Sequence, residues 1–280
     1  IVKEIEDLAD TIRRAFAIAK SGRPGPVLVD ITKDVTANKT EYTKQTPKAI
    51  EPYTDTIKEE DVDQVVELIK GSNKPFIIAG GGLVASGAQD EFQKFADIID
   101  TPVCDTLMGK GAIEGTNARY TGMIGMHGTK ASNFGVTRCD LLIVIGARFS
   151  DRVVGNPNSF APDAKIIHID IDPTEINKNV KTDASIIGDA NEILKRLNAK
   201  LEKQNHKEWM DEVGELKNKY PLALDKTTLN GPSIIDALYE ITNGDAIVTT
   251  DVGQHQMWAA QFYKYKETRQ LITSGGLGTM

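Results

Sequence analysis

The sequence predicts an α/β protein built around a doubly wound, mostly parallel sheet, and two observations favour this class. Apolar runs such as "PFIIAGGG" (75–82), "LLIVIGA" (141–147) and "KIIHIDID" (165–172) alternate with amphipathic helical segments. Strands of a parallel sheet that is covered by helices on both faces have such uninterrupted apolar sequences. The runs also end in glycine or aspartate, at the strand ends where open parallel sheets bind ligands.

The first 56 residues predict one helix, one strand and a linker. Apolar spacing indicates an amphipathic helix that starts at the first residue, with a face formed by Ile1, Ile5, Leu8, Ile12, Phe16 and Ala19. It ends at "SGRPGP" (21–26), because proline and glycine oppose its continuation. "VLVDI" (27–31) predicts a buried strand, and residues 41–56, rich in Thr, Lys and Pro, are the predicted linker.

The middle of the chain carries most of the predicted strands. Capping boxes at Thr56–Glu59 and Ser86–Gln89 predict two helix starts. Further elements are a strand at "PVCDT" (102–106), a short helix at 130–138 and a mostly polar helix at "HKEWMDEVGELKNKYP" (206–221). A last unit follows, with the pattern helix (233–242), strand (246–253), helix (256–263) and strand (271–275).

Composition excludes several classes of function. The net charge of -7 argues against nucleic-acid binding, which needs a basic surface. No apolar run approaches the roughly 20 residues that cross a bilayer, and no signal peptide heads the chain, so we expect neither a membrane partner nor secretion. Cys104 and Cys139 both lie in apolar segments and predict reduced core residues of a cytoplasmic protein.

A glycine pattern follows the first central strand. Gly80, Gly82 and Ala85 have the spacing of a dinucleotide-binding fingerprint, and Asp105 lies at the next predicted strand end. Such a pattern alone is weak evidence for nucleotide binding, because the same spacing often marks only a tight turn. Both interpretations stay open at this point.

Charged residues at two further strand ends suggest a phosphate-bearing ligand. The loop after 141–147 carries Arg148, Asp151 and Arg152, and guanidinium groups bind pyrophosphate through paired hydrogen bonds. The alternative is an Arg–Asp surface pair. Asp170 could accept ribose hydroxyls, whereas Asp172 better fits a helix cap before Pro173.

Two loops favour close approach of a ligand to the backbone. "GMIGMHGT" (122–129) combines three glycines with two thioethers and His127, whose alternative role is that of a turn residue hydrogen-bonded to backbone. In "TTDVGQHQMW" (249–258), Gly253, Gln254 and His255 lie where a strand leads into a helix, a typical anion site; Met257 and Trp258 could instead be core. The four histidines lack metal-ligand spacing, so no metal site is predicted.

Several strings together identify a family. "SGRPGPVLVDITKDV", "TLMGKGA", "GMIGMHGT", "CDLLIVIGARFSDRVVG", "DVGQHQMWAAQFY" and "GGLGTM" resemble, in order, the catalytic (large) subunit of acetolactate synthase. This family, also called acetohydroxyacid synthase, belongs to the thiamine-diphosphate enzymes. The resemblance covers essentially the whole chain, and "GARFSDRV" and "GQHQMW" are its most specific blocks.

The resemblance implies a fold and an activity. Residues 1–40 would be the end of a pyrimidine-binding domain, 57–205 a six-stranded Rossmann-like central FAD-binding domain, 206–229 a linker with a helix, and 230–280 the start of a diphosphate-binding domain. The family condenses two pyruvates to 2-acetolactate, or pyruvate and 2-ketobutyrate to 2-aceto-2-hydroxybutyrate, with release of CO2, in branched-chain amino-acid biosynthesis. It also implies a homo-oligomer, dimeric or tetrameric, with a regulatory small subunit.

The resemblance further implies site residues and the cofactors FAD (structural), thiamine diphosphate and Mg2+. The FAD contacts would be Arg23, Gly80, Gly81, Gly82, Thr106, Leu107, Met108, Gly125, Met126, His127, Gly146, Ala147, Arg148, Arg152, Val153, Asp170 and Asp189. The thiamine-diphosphate contacts would be Gln254, His255, Gly278 and Met280. Lys33, Asp151 and Arg152 would line the substrate and inhibitor entry.

The chain departs from the family pattern in three respects. Ser150 stands where the family commonly has Asp, and Thr32 where it commonly has Pro. The glutamate that activates thiamine in the family and the Gly-Asp-Gly metal motif would both fall outside these residues. We therefore expect an internal fragment that is inactive alone. The alternatives are a stand-alone NAD-binding oxidoreductase and a non-catalytic nucleotide-binding module.

Overall fold

The computed structural model describes residues 1–46 and 54–275. The chain divides into two compact units, Ile1–Thr54 and Asp55–Met280. The first unit contains a short 3-10 turn, Ile5–Asp7, followed by helix α1 (Leu8–Lys20) and helix α2 (Lys33–Ala37).

The predicted strand at 27–31 is wrong. Among the residues that the structure describes, its sheet contact is limited to an isolated parallel bridge between Val2 and Ile31, in which the Val2 amide donates to the Asp30 carbonyl at 2.7 Å. Leu28 is 92% exposed. A strand needs a continuous ladder of hydrogen bonds, and Val2 alone provides one rung. The same bridge explains why the helix begins at Ile5 and not at the first residue.

The second unit consists of helices that alternate with strands. Its helices are α3 (Glu59–Lys70), α4 (Gly81–Ala85), α5 (Gln89–Ile98), α6 (Lys130–Arg138), α7 (Asp151–Val154), α8 (Ala190–Lys200), α9 (Lys207–Lys219), α10 (Gly231–Thr242) and α11 (Gln254–Phe262). Its strands are β1 (Pro75–Ala79), β2 (Val103–Asp105), β3 (Tyr120–Met123), β4 (Leu141–Ile145), β5 (Lys165–Asp170), β6 (Ala184–Ile187), β7 (Val248–Thr250) and β8 (Leu271–Thr273).

Strands β1 to β6 form a single parallel sheet in the order β3-β2-β1-β4-β5-β6. This is the strand order of a Rossmann-type doubly wound sheet, in which the chain winds outward in both directions from the centre. The predicted fold class is confirmed. The point where the winding direction reverses lies between β1 and β4, and it decides where a ligand can enter the sheet edge.

The two edge strands, β3 and β6, have no clear signal in the sequence. Both alternate between buried and half-buried residues, unlike β1 and β4, whose residues are all buried. A half-covered strand of four residues is too short for its alternation to stand out from a loop. The apolar runs therefore identify central strands better than edge strands.

Helices cover the two faces of the sheet with separate apolar layers. On one face α3, α5 and α8 bury residues such as Val65, Phe92 and Leu194, and on the other α6 and α9 cover Phe76 and Leu142. The predicted polar helix at 206–221 is α9, and it belongs to this second layer. Trp209 is buried there; its Nε1 donates to the Pro75 carbonyl at 2.7 Å, and its ring meets Phe76 edge-on.

Both predicted capping boxes are absent from the structure. Helix α3 begins at Glu59 without a side-chain cap, and the Thr56 hydroxyl instead donates to the Ile187 carbonyl at 2.6 Å. The Ser86 hydroxyl donates back to the Leu83 carbonyl, at the end of the preceding short helix. The Thr56 hydroxyl is therefore used in a tertiary hydrogen bond and the Ser86 hydroxyl in a local turn, and neither caps a helix as the sequence pattern predicts.

The last part of the second unit follows the predicted order of elements. Asn230 and Ser233 cap helix α10 reciprocally, and β7 pairs with β8 in parallel. Helix α11 lies between these two strands along the chain and packs on α10. The structure therefore contains a small βαβ unit after the six-stranded domain.

Asp100 joins the sheet to helix α9 and gives a testable pH dependence. Its Oδ1 accepts from Arg119 Nη1 and its Oδ2 from the His206 amide, both at 2.8 Å. Burial opposes ionisation, but these hydrogen bonds hold the pKa of Asp100 below its usual value of 3.8. A carboxyl with a lowered pKa in the folded state stabilises the protein above its unfolded pKa and loses this contribution as the pH falls.

We expect Asp100→Asn to lower the free energy of unfolding by about 2 kcal/mol at pH 7, the usual scale for hydrogen bonds to a charged group. The deficit should shrink as the pH falls below 3.8, because Asp100 of the unfolded wild type then takes up a proton, and it should disappear at a still lower pH, where folded Asp100 is protonated too. Urea denaturation at a series of pH values measures both effects. Asp163→Asn, at an exposed position, is the control. An equal deficit at all pH values would contradict the assignment.

Candidate functional site

The carboxyl ends of the six parallel strands carry nearly all the residues predicted to contact FAD. They are Gly80, Gly81 and Gly82 after β1; Thr106, Leu107 and Met108 after β2; Gly125, Met126 and His127 after β3; Gly146, Ala147, Arg148, Arg152 and Val153 after β4; Asp170 at the end of β5; and Asp189 after β6. The fold thus brings one short segment from every strand to one edge. Arg23 lies in the first unit.

The centre of this edge is a direct backbone contact between the loops after β1 and β4. The Gly80 amide donates to the Ile145 carbonyl at 2.8 Å, and the Gly82 amide donates to the Gly146 carbonyl at 2.9 Å. A Cβ on Gly80 would lie 2.1 Å from the Gly146 carbonyl oxygen, and Gly146 has a φ of +62°. The fingerprint glycines therefore serve close packing at the reversal point of the sheet.

Two further backbone contacts join the neighbouring loops. Gly125 has a φ of +96°, and a Cβ there would lie 2.4 Å from the Arg152 carbonyl oxygen. The Met126 amide donates to the same carbonyl at 2.9 Å. The side chains of Met108 and Met126 remain 55% and 65% exposed at this edge. Exposed thioethers beside glycine-rich backbone suit a flat aromatic ligand.

The loop after β4 presents two exposed guanidinium groups. Arg148 and Arg152 are both exposed, and Arg152 Nε lies 3.9 Å from Asp151 Oδ2 in an exposed pair. Arg152 therefore forms the Arg–Asp surface pair that the sequence allowed as an alternative to pyrophosphate binding. Such pairs contribute little energy, so this pairing leaves Arg152 able to contact an anion.

Two residues that sequence reasoning missed hold this arginine loop in place. His168, fully buried on β5, donates from Nε2 to the Ala147 carbonyl at 2.9 Å. Asn179 donates from Nδ2 to the carbonyls of Arg148 and Phe149 at 3.3 and 3.1 Å. A histidine inside an otherwise apolar strand is the one sequence signal that could have indicated such a contact.

The aspartates at the ends of β5 and β6 have different surroundings. Asp172 caps the turn at Pro173 by accepting from the Thr174 amide at 2.9 Å, so the capping prediction for Asp172 is confirmed. Asp170 is buried and accepts from the Asp172 amide at 2.9 Å. Asp189 caps helix α8 by accepting from the amides of Asn191 and Glu192. These bonds orient the carboxylates at the sheet edge.

Asp105 belongs to a buried polar network. Its Oδ1 lies 3.0 Å from Lys110 Nζ, and the Tyr120 hydroxyl donates to it at 3.1 Å. Burial raises the pKa of Asp105, whereas the Lys110 ammonium opposes this rise. Burial and the Asp105 charge raise the pKa of Tyr120 well above its usual value. The Asp105 carboxylate is therefore bound by Lys110 and Tyr120 inside the protein and is not available to a ribose.

The residues predicted to contact thiamine diphosphate lie at the start of α11. Gln254 and His255 are exposed in its first turn, after Gly253, which has a φ of +152°. Their backbone amides face the end where a helix binds anions. Trp258 packs against Gly231 at the start of α10, in line with its core alternative. Gly278 and Met280 lie outside the described residues.

Three residues were predicted to line the substrate entry. Lys33 is exposed at the first position of α2 in the first unit, and Asp151 and Arg152 are exposed at the start of α7 in the second. Within residues 1–46 and 54–275, no cluster of His, Cys, Asp and Glu side chains has metal-binding geometry. Over the same residues, no helix is both long and apolar enough to span a bilayer.

Two family models match the chain. Residues 62–197 match the central domain of thiamine pyrophosphate enzymes, and residues 251–280 match their C-terminal TPP-binding domain. The matched regions are the six-stranded sheet and the small unit that contains α11. The chain therefore belongs to the thiamine pyrophosphate enzyme family.

The curated relatives with similar sequences are acetolactate synthases. The chain is 44% identical over 302 residues to the probable acetolactate synthase large subunit of Methanocaldococcus jannaschii, covering 100% of the chain and 50% of that protein. It is 39% identical to the acetolactate synthase large subunit of Buchnera aphidicola and 42% identical to the chloroplastic acetolactate synthase 2 of Nicotiana tabacum, covering 51% and 44% of them. All of this chain aligns in both cases. It spans about half the length of the curated relatives it matches.

We expect Gly80→Ala to destabilise the protein by about 3 kcal/mol, the upper range for overpacking, because the new methyl meets a backbone carbonyl that has no room to move. Gly214→Ala is the matched control: it lies inside helix α9 with open space around the added methyl and should stabilise by about 1 kcal/mol. Thermal denaturation of both variants measures the contrast. Equal stability of the two variants would contradict the packing role of Gly80.

Proposed function

We propose that this chain supplies the flavin-binding part and a portion of the thiamine-diphosphate site of an acetolactate synthase. The observation that carries this proposal is the convergence of six strand-end segments at one edge of a Rossmann-type sheet, with exposed cationic and thioether side chains. The family match and the relatives' printed names support it. The whole protein would condense two pyruvates, or pyruvate and 2-ketobutyrate, with release of CO2.

The polar and apolar side chains at this edge of the sheet fit a flavin adenine dinucleotide. Arg148 and Arg152 provide exposed cations for the pyrophosphate, and Asp170 and Asp189 lie at the strand ends where ribose hydroxyls bind in this fold. Met108 and Met126 provide exposed apolar surface for an aromatic ring. These residues would bind and orient FAD, whose role in this proposal is structural.

Gln254 and His255 would contact thiamine diphosphate, with Gly278 and Met280 close to its ring. Thiamine diphosphate supplies the carbanion chemistry that breaks and forms the bonds to carbon. Mg2+ would neutralise the diphosphate. The protein would act in the cytoplasm as a homo-oligomer, dimer or tetramer, with a regulatory small subunit.

Titration of the purified protein with FAD, followed by flavin fluorescence, tests the proposed site. We expect saturable binding of FAD, and about 10- to 100-fold weaker binding after Arg148→Ala or Arg152→Ala, because each substitution removes a charge-assisted hydrogen bond. Arg138→Ala is the control: it removes the same charge from an exposed position on α6, away from the strand ends.

Two outcomes would contradict the proposal. If all three variants bind FAD with equal affinity, Arg148 and Arg152 do not bind the pyrophosphate as proposed. Saturable binding of NAD in place of FAD would favour the alternative of a nicotinamide-dependent oxidoreductase. Formation of acetolactate from pyruvate, measured with thiamine diphosphate and Mg2+ present, tests the activity of the whole protein separately.

A further inference from the structure

A cavity of about 190 Å³ lies beside the edge of the sheet that carries the proposed FAD contacts, and it has no role in the proposed function. It is lined by residues near β3, by Lys217 on α9 and by the end of α11 with the segment Tyr263–Tyr265. Of the residues proposed to contact FAD, only His127 lines it. At about 30 Å³ for each water molecule, the cavity holds about six waters, which is room for a small ion and too little for a nucleotide.

The charges that line this cavity do not balance. Lys110 is neutralised by Asp105 at 3.0 Å, and both side chains are almost fully buried. Lys217 and Lys264 also line the cavity, and neither forms an ion pair among the residues that the structure describes. The Lys264 ammonium lies 5.1 Å from the ring centroid of Tyr239, a residue outside the cavity lining. Among the described residues that line the cavity, Lys217 therefore carries the uncompensated positive charge.

Lys217 is the residue whose surroundings point most directly to a ligand. Its Nζ donates to the Tyr120 carbonyl at 2.7 Å, and an ammonium group has three donors. Partial burial lowers the pKa of Lys217, and no acidic group counteracts this effect. A partly buried ammonium group with spare donors is stabilised by an anion within hydrogen-bonding distance.

A neighbouring cavity of about 240 Å³ also contacts Lys217. The other cation that lines it is Arg119, which pairs with Asp97 and Asp100 at 2.9 and 2.8 Å. Lys217 contacts both cavities, but its Nζ donates to the Tyr120 carbonyl, and Tyr120 lines the first cavity and not the second. This contact favours the cavity beside Tyr120.

We propose that the cavity between β3, Lys217 and Tyr263–Tyr265 is a binding site for a small oxyanion, either inorganic phosphate or a short carboxylate. Lys217 holds the anion. Because β3, α9 and the segment after α11 all contribute to the wall, the bound anion joins the six-stranded domain to the small βαβ unit. Apart from His127, the site is separate from the proposed flavin contacts, and its proposed anion contact, Lys217, does not belong to them.

Isothermal titration of the purified protein with inorganic phosphate and, separately, with acetate tests the site, at constant ionic strength in a buffer free of both. We expect saturable binding of at least one anion, and at least tenfold weaker binding after Lys217→Gln. Lys219→Gln is the matched control, since this exposed lysine lies on the same helix, removes the same charge and lines neither cavity. Its affinity should equal that of the wild type.

Lys217→Arg keeps the charge and should retain most of the binding, which separates a lost ligand contact from a misfolded variant. Circular dichroism of each variant checks the fold. Phosphate binding without acetate binding, or the reverse, identifies the source of the oxyanion. The proposal is overturned if neither anion saturates the protein, or if Lys217→Gln and Lys219→Gln bind equally well.

Discussion

The close approach of the backbone at Gly80 and Gly82 to Gly146 is the constraint on which the rest of the site depends. A side chain at Gly80 would overlap the carbonyl of Gly146, so β1 and β4 can lie side by side at their ends only with glycine there. This contact is located where the winding of the sheet reverses, and it sets the spacing of the loops on both sides. The position of the exposed arginines in the loop after β4 therefore depends on this glycine contact.

Behind the candidate site lies a set of polar groups, most of them buried, that keeps its loops in place. His168 and Asn179 hold the carbonyls of the arginine loop, and the Asp105–Lys110–Tyr120 network fixes the segment that follows β2. The Asp105, Lys110 and Tyr120 side chains satisfy one another inside the protein, which lowers the free-energy cost of burying them. The exposed side chains thus stay available for ligands, while the buried ones determine their geometry.

Predictions from the sequence succeeded where a signal is local and continuous. The runs at β1, β4 and β5 are apolar throughout because helices cover both faces of these strands, and they identified the sheet without any tertiary information. The strand expected at 27–31 has the same apolar character, but only Val2 pairs with it. Thr56 and Ser86 have the right spacing for caps, yet their hydroxyls bond elsewhere.

The sequence by itself determined the class of the fold, the strand ends that carry the candidate site and the family resemblance, because these depend on residue order and local periodicity. Only the tertiary structure decided that the fingerprint glycines pack against Gly146, that Asp105 is paired with Lys110, and that Lys217 faces a cavity with excess positive charge. These features join residues that are far apart in the chain. Their contacts arise from strand order and helix packing, which no local pattern encodes.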